Sequence, residues 1–199
     1  MKRTSFFAKA LMGAAVVTMS MGVVSCNDKK EDPAEVAEDQ NEEKFDNTAQ
    51  DNMEDDSEYL VMAAGVDMKE IEAGKLAQTK GTSADVKALG KMMVDQHTTS
   101  SEATKALAAK KTITLPMALP EDAQEAVKDL NEEKAGADFD KKYADMMVEG
   151  HEKTIEKMQK ASESAKDADI RMWAANMLPT LKKHLDHAKM VKEKLDAQK

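Results

Sequence analysis

The sequence predicts an all-α protein, a bundle of four long helices, and three observations carry that expectation. Gly and Pro number only 8 and 4 in 199 residues, strong helix formers dominate, and from residue 57 onward apolar side chains recur at intervals of three and four. The one strand-like triplet is Thr112-Ile113-Thr114.

The first long helix covers about 58–79 and stops at Lys80-Gly81, since glycine readily takes the conformation that ends a helix. Thr82 or Ser83 caps the second, which continues to about residue 111. The segment 112–135 carries two Leu-Pro steps, and Pro120-Glu121-Asp122 within it opens a short extra helix to about Asn131, because proline suits a first helical turn. The third long helix spans about 136–165 and the fourth about 167–197. Pro179 lies well inside the fourth, where the lost N–H and the ring should kink it.

Lys2, Arg3 and Lys9 precede an apolar stretch at 10–24, too short for a comfortable membrane span, so residues 1–25 read as a signal peptide. It ends in Val23-Val24-Ser25-Cys26, which resembles the lipobox of bacterial lipoproteins and makes Cys26 the expected lipidation site. Cys26 is the only cysteine, so no disulfide within the chain can support the fold. The expected place is the cell envelope: a lipid anchor in the outer membrane through Cys26, facing the periplasm or the cell surface.

Removing Lys2, Arg3 and Lys9 turns the formal charge of −9 into −12. Thirteen acids and three lysines lie between Asn27 and Asp56, a net −10 with few large apolar residues. Such a stretch should stay unfolded, so residues 26–56 are expected to be a disordered acidic tether and 57–199 one helical domain. Overall acidity without a basic stripe argues against nucleic acid as a partner.

All four histidines fall in predicted helices. His97 lies on the stripe Val86, Gly90, Met93, His97, Thr104; His151 on Ala144, Met147, His151, Ile155, Met158; His184 on Trp173, Met177, Leu181, His184, Ala188. Glu70 flanks the stripe of the first helix, with Asp67 near its centre. His97, His151 and His184 stand 14, 15 and 17 residues into their helices and Glu70 stands 11 from the end of its own. At about 1.5 Å of rise per residue the four share one mid-height layer. Met92-Met93-Val94-Asp95-Gln96-His97 is echoed by Met146-Met147-Val148-Glu149-Gly150-His151.

Neutral imidazoles and a carboxylate suit a divalent transition metal such as Zn, Fe or Cu, and bundle interiors are a usual place to build such sites. The candidate ligands are Glu70, His97, His151 and His184, with Asp67 and His187 as further candidates. The competing expectation is a set of core histidines satisfied by hydrogen bonds across the bundle. Glu-x-x-His is absent, which speaks against a carboxylate-bridged di-iron centre. Met93 and Met147, one turn before their histidines, read either as core filler or as thioethers for Cu(I). No nucleophile, triad order or phosphate loop is visible.

Taken in order, Glu70-Ile71-Glu72-Ala73-Gly74-Lys75-Leu76-Ala77, Met93-Val94-Asp95-Gln96-His97, Leu115-Pro116, Phe139-Asp140 with Tyr143, Met147-Val148 with His151, and Leu178-Pro179 with Leu181, His184 and Leu185 resemble a family of bacterial envelope proteins. That family is built on a domain of unknown function with a ferritin-like four-helix bundle. The resemblance covers about 58–195 and implies a ferritin-like fold with 112–135 as the crossover between the second and third long helices. It implies no particular activity. The family often has Asp before the first two histidines, where this chain has Gln96 and Gly150, a departure that would weaken any site those acids serve.

The reading is a lipid-anchored, non-enzymatic envelope protein that binds a transition metal in its mid-bundle layer. The rivals are a metal-dependent redox or peroxide-handling enzyme and a purely structural or partner-binding lipoprotein.

Overall fold

The computed structural model describes residues 31–46, 48 and 52–198. The expected signal peptide, Cys26 and the start of the expected tether lie outside the described residues. Within them the chain is all-helical and no strand occurs. In order the helices are α1 (Pro33–Phe45), α2 (Asn52–Lys80), α3 (Ala84–Lys111), α4 (Glu121–Glu132), α5 (Ala137–Ser164) and α6 (Ala168–Ala197). None of them is long and apolar enough to cross a membrane.

Short turns at residues 81–83 and 165–167 fold α2 back on α3 and α5 back on α6, and the two pairs meet through α2 with α5 and α3 with α6. Ser83 caps α3 by accepting from Asp85 N, and Asp167 caps α6 by accepting from Asp169 N and Ile170 N. Asp140 of α5 accepts from Thr82 N at 2.9 Å, Thr82 Oγ1 at 2.6 Å and Ser83 N at 2.8 Å. Asp56 of α2 accepts from Lys166 N at 2.9 Å and Asp167 N at 2.6 Å. Each hairpin turn is therefore held by an aspartate from the other hairpin.

The N-terminal boundary differs from the sequence expectation. Where a disordered tether was predicted, Pro33–Phe45 is helical and packs on α2, while α2 begins at Asn52 and buries Asp56 and Ser57. Net charge was a poor guide because Ala37, Asn41 and Phe45 fall on one stripe, all buried, with acids elsewhere on the helix. Asn41 also pairs with an isolated backbone step, its Nδ2 donating to Thr114 O at 2.9 Å and its Oδ1 accepting from Thr114 N at 2.7 Å. The strand-like triplet closes α3 instead: Thr112 sits at φ 57° as the C-cap, and Ile113 N donates to Ala108 O at 2.9 Å. The helix α6 continues through Pro179.

Apolar side chains gather in two clusters. One includes Val86, Met93, Phe139, Tyr143, Met147 and Leu195; the other includes Phe45, Leu60, Ile113, Met158, Ile170 and Trp173. By position along every long helix, the buried polar residues Asp67, Glu70, His97, His151 and His184 fall between the two. Gly74 and Gly90 bring α2 and α3 into close approach: a Cβ on Gly90 would lie 2.7 Å from Ala77 Cβ and 2.8 Å from Gly74 O.

Candidate metal centre

His97 of α3, His151 of α5 and His184 of α6 are each 2 % exposed. Their ring centroids are 5.7, 5.3 and 5.2 Å apart, and one ring nitrogen from each lies within 4.8 Å of the other two. The helical stripes explain the convergence, because each histidine continues the line of apolar residues that its helix turns inward.

Every ring is held from behind. His97 Nδ1 lies 2.8 Å from Asp67 Oδ1, and Ser100 Oγ donates to Asp67 Oδ2 at 3.1 Å. His151 Nδ1 donates to Met147 O at 2.8 Å. His184 Nε2 lies 2.6 Å from Gln96 Oε1. A carbonyl or carboxylate only accepts, so in the neutral rings the proton sits on Nδ1 of His97 and His151 and the lone pair on Nε2. Metal-bound histidines are oriented by such a partner behind the ring.

His151 Nε2 and His184 Nδ1 face each other at 3.2 Å. Two proton arrangements fit. With the Gln96 oxygen accepting from His184 Nε2, two lone pairs point at one another and a cation between them satisfies both. With the Gln96 amide turned over, its NH₂ donates to His184 and His184 Nδ1 donates to His151. His97 Nε2 has no partner in either case.

Burial holds the His184 ring down to about 3, reinforced by the positive charge that His97, His151 and His187 would carry. Burial lowers His151 too, opposed by the Glu70 carboxylate and reinforced by His97. Both rings are therefore neutral near pH 7, the state in which imidazole binds metal. Burial raises Asp67 above the usual carboxylate range, with His97 and Ser100 pulling it back.

The other candidates fall differently. Glu70 is 1 % exposed but does not join the three-histidine group. Neither of its oxygens has a hydrogen-bond partner, and Lys69 Nζ stands 3.9 Å from Oε1. Asp67 lies behind His97. His187 is exposed and turned toward Met92, apart from the group. The sequence marks Gln96 only as a departure from the family pattern and Tyr143 only as part of the resemblance, gives neither a role at the site, and does not single out Ser100. Gln96 and Ser100 bracket His97 within one turn, a proximity readable in the sequence, but their partners lie across helix interfaces. The Tyr143 hydroxyl is buried without a partner, and burial together with Glu70 keeps it protonated well above pH 10. Gly150 packs beside Glu70, and a Cβ added there would meet Glu70 Oε1 at 3.4 Å, an ordinary contact. A cavity of about 590 Å³ between α3 and α6 reaches His97 and His184, walled by Leu107, Trp173, Met177 and Leu181 among others.

Residues 40–191 match the family model described as a domain of unknown function, DUF4142, and the chain belongs to that family. No curated protein and no solved structure matches the chain.

Proposed function

For this member of a family of unknown function, we propose metal binding: His97, His151 and His184 hold one divalent transition-metal ion of the Zn, Fe or Cu class. The observation that carries the reading is three buried imidazoles, each held from behind, with ring nitrogens within 4.8 Å of one another. Zn–N bonds of about 2.0–2.1 Å set tetrahedral ligands roughly 3.3 Å apart, and His151 Nε2 and His184 Nδ1 already stand at 3.2 Å. The unpartnered His97 Nε2 supplies the third donor, and Glu70 supplies negative charge beside His151. Three protein ligands would leave a coordination position open.

The test is elemental analysis of the purified full chain, followed by metal titration. His97→Ala and His151→Ala are expected to lower affinity sharply with helix content retained. Metal binding that survives both substitutions would return the layer to packing.

The setting we propose is a ferritin-like four-helix bundle tied to the outer membrane. Two antiparallel hairpins joined by the long α3–α5 connection support the first part, and Val23-Val24-Ser25-Cys26 supports the second. Cys26→Ser should release the protein from membranes, and wild-type fractionation of that variant would remove the anchor. The cavity that reaches His97 and His184 favours a second reading, a redox or peroxide-handling enzyme, which oxidase and peroxidase assays on metal-loaded protein would separate from simple binding.

A further inference from the structure

The two methionines singled out for Cu(I) from sequence, Met93 and Met147, are both fully buried in one apolar cluster. A different pair lies nearer the surface, with Met92 half-buried against that cluster and Met190 exposed. Met92 of α3 and Met190 of α6 line a shallow cavity of about 280 Å³ together with His187. His187 Nδ1 lies 3.1 Å from Met92 Sδ, and Met190 stands one helical turn from His187 on the same helix. Met190 is 54 % exposed, one of three exposed large apolar side chains among the described residues.

We propose that Met92, His187 and Met190 form a second metal site, separate from the buried histidines, for Cu(I). Two thioethers and one imidazole are soft donors, a set that selects Cu(I) over hard, oxygen-seeking ions. The carboxylate at the same cavity, Asp85, is paired with Lys194 at 2.9 Å, which leaves two sulfurs and a nitrogen as the donors. Leu89 and Val191 supply an apolar floor. The side chains come from facing positions on α3 and α6, and an ion there replaces the imidazole–sulfur contact with metal–ligand bonds. The site does not rest on metal occupancy at His97, His151 and His184.

Ag(I), a redox-inert probe with the same taste for sulfur, tests the site in the full chain carrying Cys26→Ser, which removes the competing thiol. With methionine methyls labelled with ¹³C, the first equivalent of Ag(I) should shift Met92 and Met190 and leave Met93 and Met147 in place. Met→Leu conserves volume and is tolerated by folded proteins. The Met92→Leu, Met190→Leu double variant should weaken Ag(I) binding by at least the roughly 10–100-fold that loss of even an outer-shell partner costs. His97→Ala should leave Ag(I) affinity unchanged, and the double variant should leave Zn(II) affinity unchanged. Shifts at Met93 or Met147 instead, unchanged Ag(I) affinity in the double variant, or loss of Ag(I) binding in His97→Ala would overturn the site.

Discussion

The Asp67 carboxylate on α2 accepts from His97 Nδ1 on α3 at 2.8 Å, with both residues 2 % exposed. The bond fixes which nitrogen of His97 is bare and which way the ring faces.

Asp67→Asn keeps an oxygen that can accept from Nδ1 but removes the charge, whereas Asp67→Ala removes both. Metal affinity is expected to fall roughly 10–100-fold for Ala and by less for Asn, measured by competition with a chromogenic chelator. Equal, wild-type affinities in both variants would separate Asp67 from the site.

Acid should destabilise the metal-free protein through the buried rings. The folded-state values of His184, about 3, and of His151 lie below the ordinary 6.5, so on acidification the unfolded chain takes up protons first. Stability is then fully present above about pH 6.5 and falls as pH drops toward the folded value. Urea midpoints should fall between about pH 7 and about pH 4, less steeply in His184→Gln. A wild-type slope in that variant would assign the acid sensitivity elsewhere.

The two turn-holding aspartates should matter more than their place near helix ends suggests. Asp140→Ala and Asp56→Ala each leave part-buried backbone N–H groups without their carboxylate acceptor, an expected loss of about 1–2 kcal/mol apiece. Asp56 lies near the start of α2 and the turn held by Asp140 follows its end, so the losses should add in a double-variant unfolding experiment. Strong non-additivity would show that the two turns form as one unit.

Phe45→Ala should cost about 3–5 kcal/mol and Asn41→Ala about 1–3 kcal/mol, because α1 belongs to the fold. Hydrogen exchange should find Pro33–Phe45 protected in the wild type and opened in Phe45→Ala. Free exchange of that segment in the wild type would restore the tether.

Helix order, a cap at Thr82 or Ser83, and the shared height of His97, His151 and His184 could be read from the sequence because cap chemistry and the rise per residue are local rules. Rotation about each helix axis is not local. Glu70 and Asp67 stand one turn apart on α2, yet only Asp67 meets His97, a difference set by the approach of α3. His187 stands one turn from His184 and faces Met92 instead. Gln96 read as a departure from an acidic pattern, and only packing of α3 on α6 reveals that it contacts His184. The acidic N-terminal stretch misled because an average over thirty residues hides a three-residue buried stripe.

Seven residues separate Gly74 from Asp67 on α2, and seven separate Gly90 from His97 on α3. The glycine seam and the carboxylate–imidazole bond are thus two turns apart on the same pair of helices, about 11 Å. Bare backbone at the seam sets the gauge between the two helix axes, and a hydrogen bond tolerates only tenths of an ångström of error in that gauge. A methyl group wedged at Gly90 would act as a spacer on a lever whose far end carries the His97 ring, so the aim of that buried ring is set from a place that touches no histidine.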